Sequence, residues 1–259
     1  MSAAEVAFRV VIPARLGSTR LPRKVLRTLA GRPLLHHVWE AACSAGAEAV
    51  VIATDSTEVL DACGAFGADV QMTSAQHQSG TDRVAEIART RGWAQDAIVV
   101  NLQGDEPLMP PQLLRHAARL LAEDGTAQLA SLCHPIHAVD EWLSPNVVKV
   151  VMDRRGHALY FSRAPIPHLR DGAPAAPRFP AGLAYRHIGL YAYRVGALAG
   201  LSALPPAPLE ACEALEQLRA LTHGLAIRMG IVDEPPPRGV DTEDDLAAVA
   251  ALLAARGDG

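Results

Sequence analysis

The loop that follows the first apolar run of the chain is rich in arginine and lysine. The run Val10–Ile12 leads through Pro13 into a loop with Gly17, two hydroxyls (Ser18, Thr19) and the cations Arg15, Arg20, Arg23 and Lys24. A loop at the carboxyl end of a strand that combines backbone N–H groups with fixed positive charge suits a polyphosphate. The motifs GxxxxGK[ST] and GxGxxG are both absent. The loop alone leaves a second interpretation open, a merely solvated basic loop.

Two carboxylates elsewhere in the chain are candidate ligands for Mg²⁺. Asp105 lies in Gln103–Pro107 (QGDEP), directly after an apolar run, and Asp241 lies in GVDT ahead of a predicted helix. Mg²⁺ takes one or two carboxylates and completes its shell with substrate phosphate and water. By itself Asp241 is typical of a helix N-cap. Placed across a nucleotide from Asp105, it becomes a second candidate ligand.

Alternating short and long segments indicate the elements that position these residues. Short β-branched runs predict strands over Arg9–Ile12, Ala49–Ala53, Ala97–Leu102, Leu129–His134, Val147–Met152, Ile188–Tyr193 and Ala226–Val232. Amphipathic stretches predict helices over Pro33–Ser44, Thr57–Phe66, Asp82–Arg91, Pro110–Glu123, Pro208–Thr222 and Glu243–Ala254. This order predicts an α/β fold, a Rossmann-like, mostly parallel sheet flanked by helices. Ligands of such sheets bind beyond the carboxyl ends of the strands, so the polar clusters after the first three strands should meet at one edge.

The second half of the chain predicts a smaller antiparallel excursion. Candidate strands at Gly156–Ser162 and Ile188–Tyr193 flank a Pro-, Ala- and Gly-rich surface loop, His168–Ala184. We therefore expect a single domain over residues 1–259, with an antiparallel excursion at about 135–200 for dimerisation and substrate binding.

The helix predicted over Pro208–Thr222 carries three glutamates whose roles its periodicity does not separate. Helical spacing predicts a buried stripe made of Ala211, Leu215, Leu218 and Thr222. The same spacing places Glu210, Glu213 and Gln217 on the opposite side, with Glu216 on a flank.

Composition places the chain among ordinary globular proteins. It has 259 residues, of which 49% are hydrophobic and 20% charged, and a net charge of −4. This balance argues against nucleic-acid binding, and no apolar run approaches the roughly 18 residues of a membrane span. The four cysteines are widely spaced with no CxxC pair, which is typical of thiols in a reducing compartment. We expect a cytoplasmic protein with no nucleic-acid or membrane partner.

Eight motifs, in order, resemble those of one enzyme family. They are PARLGSTRLPRK, HQSGTDR, QGDEP, NVVKVV, LYFSRAPIP, RHIGLYAYR, PLE…LEQLR and GVDTEDDL, spread from Val10 to about Leu246. Together they resemble the 3-deoxy-manno-octulosonate cytidylyltransferases, also called CMP-Kdo synthetases. The resemblance implies transfer of CMP from CTP to 3-deoxy-D-manno-octulosonate (Kdo) for lipopolysaccharide biosynthesis. It also implies Mg²⁺ as cofactor and a homodimer.

The resemblance implies a role for each matching residue. Lys24, Arg15 and Asp105 would be catalytic, and Asp105 and Asp241 would hold Mg²⁺. The nucleotide would contact Arg15, Ser18, Arg20, Lys24, Ser79, Gly80 and Gln103. The sugar acid would contact Arg83, Gln103, Arg163, His187, Tyr191, Glu216 and Gln217. Residue chemistry agrees in part, because a sugar acid needs an Arg for its carboxylate and polar partners for its hydroxyls. His187 and Tyr191 are four residues apart, which places both on one face of a strand.

The first loop departs from the usual family pattern, and other functions remain to be weighed. The family more often has PGK-P where this chain has Pro22-Arg23-Lys24-Val25, so Arg23 could contact phosphate or point to solvent. The alternatives are a CMP-sialate synthetase or another cytidylyltransferase, a dinucleotide-dependent oxidoreductase, and a non-catalytic nucleotide-binding regulator. The absent GxGxxG argues against the oxidoreductase, and the two carboxylates argue against the regulator.

Overall fold

The computed structural model describes residues 6–18, 20–172, 179–180 and 182–257. The strands in the described part are β1 Arg9–Ala14, β2 Thr28–Leu29, β3 Arg32–Pro33, β4 Ala49–Thr54, β5 Asp69–Met72, β6 Ile98–Asn101, β7 Leu129–Pro135, β8 Lys149–Met152, β9 Ala158–Ser162, β10 Tyr185–Arg194 and β11 Ile227–Ile231. The α-helices there are α1 Leu34–Cys43, α2 Thr57–Gly64, α3 Gly80–Thr90, α4 Pro111–Glu123, α5 Val139–Leu143, α6 Val195–Ala203, α7 Pro208–Glu213, α8 Gln217–Thr222 and α9 Glu243–Gly257, with a 3₁₀ turn at Lys24–Leu26.

The large sheet is mostly parallel, which confirms the predicted fold class. Its order is β11-β7-β10-β6-β1-β4-β5. Pairing is parallel from β6 through β1 and β4 to β5, and between β7 and β11. β10 is antiparallel to both β6 and β7. The carboxyl ends of β1, β4 and β6 therefore lie at one edge of the sheet, where ligands of such sheets bind.

Both faces of the sheet are covered by helices. Along β1, Val10 and Ile12 pack in one core with α1 and α4, whereas Val11 packs in a second core with α3 and α6. Alternate side chains of a strand point to opposite faces, so one short run serves both layers. All three side chains are fully buried, as expected for a central parallel strand.

The predicted antiparallel excursion is present. β8 pairs with β9 and with β10 in antiparallel fashion. Residues 173–178 and 181 of the predicted surface loop lie outside the described residues. The role of the excursion in dimerisation stays a prediction. No helix in the described part of the chain has the length and apolar character that crossing a membrane requires.

The continuous helix predicted over Pro208–Thr222 is wrong. The chain forms α7 and α8, separated by Ala214, which adopts a left-handed conformation (φ 51°, ψ 50°) and ends α7. Because the break changes the helical phase, Leu215 and Leu218 are buried as predicted, but Ala211 and Thr222 are exposed. The same break buries Gln217, which an unbroken helix would have turned to solvent.

Four regions of regular structure were missed by the sequence pattern. They are the short strand β5, the small β2–β3 hairpin, and the helices α5 and α6. α6 (VGALAGLSA) has almost no polar residue, so it lacks the alternation of polar and apolar faces from which an amphipathic helix is predicted.

Candidate functional site

A cleft of about 520 Å³ opens at the carboxyl ends of the central strands. Eleven of the fifteen predicted site residues line it: Arg15, Ser18, Arg20, Lys24, Ser79, Gly80, Arg83, Gln103, Asp105, Glu216 and Asp241. They come from the loops after β1 and β6, the start of α3, the α7–α8 junction and the segment before α9. The predicted convergence is confirmed for the polar clusters after β1 and β6, whereas Asp55, from the cluster after β4, does not line the cleft.

Apolar anchors hold the cationic loop at the mouth of the cleft. Leu21 is fully buried and Val25 is nearly so, which fixes the backbone on both sides of Arg20 and Lys24. Ser18 Oγ accepts a hydrogen bond from the Leu21 amide at 3.4 Å, closing a turn. These buried residues flank Arg20 and Lys24, whose side chains line the cleft. Thr19 lies outside the described residues.

Lys24 bridges the two candidate metal carboxylates. Its Nζ donates to Asp105 Oδ2 at 2.6 Å and to Asp241 Oδ1 at 2.9 Å. Arg20 forms a further ion pair with Asp241 at 3.0 Å. Burial works to lower the pKa of Lys24, but the two carboxylates offset this and hold the pKa above its ordinary value. Two carboxylates distant in sequence therefore face one cation position.

Backbone contacts fix the separation of these carboxylates. The Val240 amide donates to the Asp105 carbonyl at 2.8 Å. At Gly239, a Cβ would lie 3.1 Å from the Asp105 carbonyl oxygen and 2.7 Å from Glu106 Oε1. Only a glycine allows the two segments to approach this closely.

Glu106 was not predicted as a site residue, although it follows Asp105 directly. Burial raises its pKa to about 8, and the negative charges of Asp105 and Asp241 add to this shift. The carboxyl is therefore mostly protonated at pH 7. In that form it packs beside the two carboxylates without adding a third negative charge.

The helix-cap interpretation of Asp241 is wrong, because its neighbours form the cap. Thr242 Oγ1 accepts from the Asp245 amide at 3.2 Å, and Asp245 Oδ2 accepts from the Thr242 amide at 2.9 Å. This reciprocal pair is a capping box at the start of α9. The Asp241 carboxylate is thereby left to Lys24 and Arg20.

The start of α3 forms the opposite wall of the cleft. Ser79 is its N-cap and exchanges hydrogen bonds with Asp82 at 3.1 and 3.2 Å. A Cβ on Gly80 would lie 3.1 Å from Pro13 Cγ, so the small residue lets α3 approach the end of β1. Burial raises the pKa of the Glu216 carboxyl, and the neighbouring hydroxyls of Thr81 and Ser79 only partly oppose this rise.

Four predicted sugar-acid residues do not line the cleft: Arg163, His187, Tyr191 and Gln217. His187 and Tyr191 do share a face of β10, with ring centroids 5.3 Å apart. His187 Nε2 lies 2.9 Å from Ser131 Oγ, and burial lowers the pKa of His187 to about 3, so the ring is neutral at pH 7. Arg163 donates to the carbonyls of Glu213 and Pro145 at 2.9 and 3.2 Å. The assignment of these four residues to a sugar acid stays a prediction.

Two of these residues carry buried polar atoms without a partner in the described part of the chain. They are the Tyr191 hydroxyl and Gln217 Nε2. An unpaired buried polar group costs roughly 1–3 kcal/mol, so a polar ligand that reached either atom would remove this cost. Burial also raises the pKa of Tyr191 well above its ordinary value, which keeps the hydroxyl protonated.

Arg23 points away from the cleft. Its backbone is left-handed (φ 56°, ψ 29°), which explains why a glycine at this position suits the fold. Its guanidinium pairs with Glu58 on α2, and Arg23 does not line the cleft. The sequence left two possibilities open for Arg23, contact with phosphate and exposure to solvent. The structure favours exposure to solvent.

The described residues contain no cluster of three or more His, Cys, Asp or Glu arranged to hold a metal ion. The donor set nevertheless fits Mg²⁺, which needs only one or two protein carboxylates when substrate phosphates supply further oxygens. Asp105 and Asp241 are such a pair, since both reach the same Lys24 Nζ.

Comparison with known proteins places this cleft in a family. The family model described as "Cytidylyltransferase" matches residues 9–227. Proteins named 3-deoxy-manno-octulosonate cytidylyltransferase match along nearly the whole chain. The one from Alkalilimnicola ehrlichii is 54% identical over 256 residues (96% of this chain, 97% of that protein). The one from Thioalkalivibrio sulfidiphilus is 51% identical over 251 residues (96% and 100%).

Solved structures agree with the sequence comparison. A CMP:2-keto-3-deoxy-manno-octonic acid synthetase solved in complex with CTP has a TM-score of 0.87 and 41% identity, covering 96% of this chain and 99% of that one. A cytidylyltransferase from Leptospira borgpetersenii has a TM-score of 0.59 at 15% identity, covering 96% and 87%, and shares the fold. The chain therefore belongs to the cytidylyltransferase family and, within it, to the 3-deoxy-manno-octulosonate cytidylyltransferases.

Proposed function

We propose that this protein transfers CMP from CTP to the anomeric 2-hydroxyl of Kdo and releases pyrophosphate. The observation that carries the proposal is the convergence of Lys24, Asp105 and Asp241 at the mouth of a cleft whose loop also bears Arg15 and Arg20. This is the charge pattern that a triphosphate and its counter-cation need. Relatives that are about 50% identical and carry the name of this activity support the same assignment.

The reaction needs positioning and charge neutralisation more than a nucleophilic side chain. The Kdo hydroxyl oxygen forms a bond to the α-phosphorus and gives up its proton to solvent. The bond from that phosphorus to the bridging oxygen breaks, and pyrophosphate leaves with the electron pair. Arg15, Arg20 and Lys24 bind the triphosphate and offset the negative charge that develops on it. The reaction requires no covalent intermediate on a cysteine or serine, because holding the two substrates in line supplies much of the rate enhancement.

Mg²⁺ is proposed as the cofactor, held by Asp105 and Asp241. When bound, Mg²⁺ would polarise the phosphate oxygens and lower the pKa of the attacking hydroxyl. The same two carboxylates are occupied by Lys24 in this structure, so Lys24 would be released toward the triphosphate when they bind a metal.

The sugar acid is proposed to bind on the β10 side of the cleft. Glu216 lines the cleft and lies near enough to Tyr191 on β10 to help raise its pKa. Among the described residues, the buried Tyr191 hydroxyl and Gln217 amide have no partner. A polyol could supply the missing partners to both atoms. A neutral His187 is able to accept as well as donate, which suits hydroxyl groups better than phosphate.

A substrate panel with pyrophosphate release as the readout tests this function. We expect turnover with CTP and Kdo in the presence of Mg²⁺, and loss of turnover when EDTA is added. UTP in place of CTP, or sialic acid in place of Kdo, should give less than about a hundredth of the rate. Faster turnover with sialic acid than with Kdo would favour a CMP-sialate synthetase and contradict the proposal. Full activity in EDTA would contradict the metal assignment alone.

A homodimer and a cytoplasmic location are further proposals. Leu183 and Ile231, about half exposed, line one groove together with β8 residues, and burial between two copies would remove this apolar surface from water. All four cysteines are free thiols in the structure, which suits a reducing compartment. Light scattering after size exclusion should give twice the chain mass, about 55 kDa against 27.4 kDa for one chain.

Replacing Gly239 with alanine should slow the reaction about tenfold. The added Cβ would press on the Asp105 carbonyl oxygen, a backbone atom, and would push the Asp105 and Asp241 segments apart. Small misplacements of reacting groups have rate effects of this order. The measurement is kcat at saturating substrates and Mg²⁺. Gly125→Ala is the matched control, because a Cβ there meets nothing within 4 Å. Equal kcat values for the two variants would contradict the spacing role of Gly239.

Replacing Arg23 with glycine should leave both stability and CTP binding nearly unchanged. Glycine removes a left-handed strain of about 1 kcal/mol. It also removes an exposed ion pair to Glu58 worth about 0–1 kcal/mol and makes the unfolded chain more flexible. We expect the free energy of unfolding in urea to change by less than about 1 kcal/mol. A tenfold rise in KM for CTP would mean instead that Arg23 reaches the triphosphate during catalysis.

A further inference from the structure

Arg83 is a nearly fully buried cation in the wall of the cleft. It lies in the first turn of α3 and is only 4% exposed, yet it is among the residues that line the cleft. The other lysine and arginine side chains that line the cleft in the described part of the chain all come from the loop after β1. Burying a guanidinium requires partners that compensate for lost hydration.

Three acceptors hold the guanidinium from one side. Its Nη2 donates to Asp55 Oδ2 at 2.6 Å, and its Nη1 donates to Thr73 Oγ1 at 2.7 Å and to the Ser74 carbonyl at 3.1 Å. A guanidinium has five N–H donors. These contacts use three of them, so the Nε donor and one Nη2 donor remain for a ligand, counted over the described residues.

The three acceptors belong to one rigid edge of the sheet. Asp55 directly follows β4, and Thr73 directly follows β5. The Thr73 amide and hydroxyl both donate to the Thr54 carbonyl, at 2.7 and 3.2 Å. Because the Thr73 hydroxyl donates to Thr54, its lone pairs are free to accept from Arg83. Asp55 supplies the negative charge in this set.

The position of these three acceptors favours contact of Arg83 with the nucleotide rather than with the sugar acid. His187 and Tyr191, which are predicted to bind the sugar acid, lie on β10. β10 and β4 are separated by β6 and β1, which is three strand spacings or about 14 Å. The acceptors that hold Arg83 therefore lie on the far side of the loop after β1 from those residues.

We propose that Asp55 is a positioning residue, which orients Arg83 so that its two remaining N–H donors face CTP in the cleft. Asp55 does not itself line the cleft, so it acts through Arg83. The proposal rests on the proposed function only in naming CTP as the ligand. It departs from the assignment of Arg83 to the sugar acid that the sequence resemblance implied.

Asp55→Asn is the informative substitution, because asparagine keeps the size and one oxygen acceptor but removes the charge. Charged hydrogen bonds are strong enough that losing this orientation should weaken CTP binding about tenfold. We expect a tenfold rise in KM for CTP, with kcat and KM for Kdo within twofold of the unsubstituted protein. Asp55→Glu should recover part of the CTP affinity, since it restores the charge.

Asp69→Asn is the matched control. Asp69, at the start of β5, pairs with Arg91 just after α3 at 2.7 Å, and Arg91 does not line the cleft. This variant should keep all kinetic constants within twofold. In an Arg83→Lys background, Asp55→Asn should change KM for CTP by less than twofold, because the guanidinium that Asp55 orients is already absent.

Calorimetric binding of CTP without sugar separates this proposal from the proposed function. If the unsubstituted protein binds CTP but does not act on Kdo, the function is wrong and the role of Asp55 is still tested by the binding constant. Equal CTP affinity in Asp55→Asn and Asp69→Asn overturns the proposal. A rise in KM for Kdo alone, or a fall in kcat with unchanged KM for CTP, also overturns it.

Discussion

Replacing Asp105 with asparagine should lower kcat by two to three orders of magnitude while the fold stays intact. Asparagine matches the size of aspartate but cannot balance Lys24, whose Nζ lies 2.6 Å from Asp105 Oδ2, and it is a weak ligand for Mg²⁺. Removing one preorganised electrostatic group from an active site typically costs about 10²–10³ in rate. The rate of pyrophosphate release from CTP and Kdo at saturating Mg²⁺ is the measurement.

Asp61→Asn, on the exposed face of α2, is a suitable control because it makes the same chemical change away from the cleft. Its kcat should stay within twofold of the unsubstituted protein. The thermal midpoint of Asp105→Asn should also remain within a few degrees, since Asp105 is a partly exposed residue at a strand end. Near-normal Mg²⁺-dependent turnover by Asp105→Asn would show that the metal assignment is wrong.

The central sheet and the cleft could be predicted because their signals are local. The run around Val10–Ile12 is apolar without alternation, which is typical of a parallel strand covered on both faces, and this is the burial observed. Parallel strands in turn require their carboxyl ends to lie together. The cationic loop, Asp55 and Asp105 follow three such strands, so their common edge follows from topology alone.

Other features depend on backbone conformations that residue type does not reveal. Alanine is a strong helix former, yet Ala214 adopts a left-handed conformation that splits one predicted helix into two. The split turns Glu216 into the cleft and buries Gln217. Propensity is a weak guide here, because burial of Leu215 and Leu218 in the core decides the local conformation.

The sequence around Asp241 correctly predicts the start of a helix but assigns the cap to the wrong residue. The sequence DTEDD does start a helix, but Thr242 and Asp245 form its cap, one residue further along. Helix ends are uncertain by one or two residues even in structures. At a site where neighbouring side chains have different roles, a shift of one residue decides between a structural cap and a proposed metal ligand.

Replacing Lys24 with methionine should also reduce kcat by roughly two to three orders of magnitude, and should at the same time strengthen metal binding by the free protein. Methionine has a similar length but no charge, so the triphosphate loses a cation. In the absence of substrate, Lys24 Nζ satisfies both Asp105 and Asp241. Without it Asp105 loses this partner and Asp241 keeps only its exposed pair with Arg20, and a divalent cation no longer has to displace an ammonium group.

Mn²⁺ binding measured by electron paramagnetic resonance separates these two effects, since it needs neither CTP nor Kdo. We expect tighter Mn²⁺ binding by Lys24→Met than by the unsubstituted protein, despite the lost turnover. Lys24→Arg keeps the charge near the carboxylates and should leave Mn²⁺ affinity within about twofold. Adding Asp241→Asn to Lys24→Met should abolish the gain, because a single carboxylate then remains. Unchanged Mn²⁺ affinity in Lys24→Met would mean that Lys24 and the metal do not compete for the same oxygens, and that the carboxylates pair with Lys24 for structural reasons only.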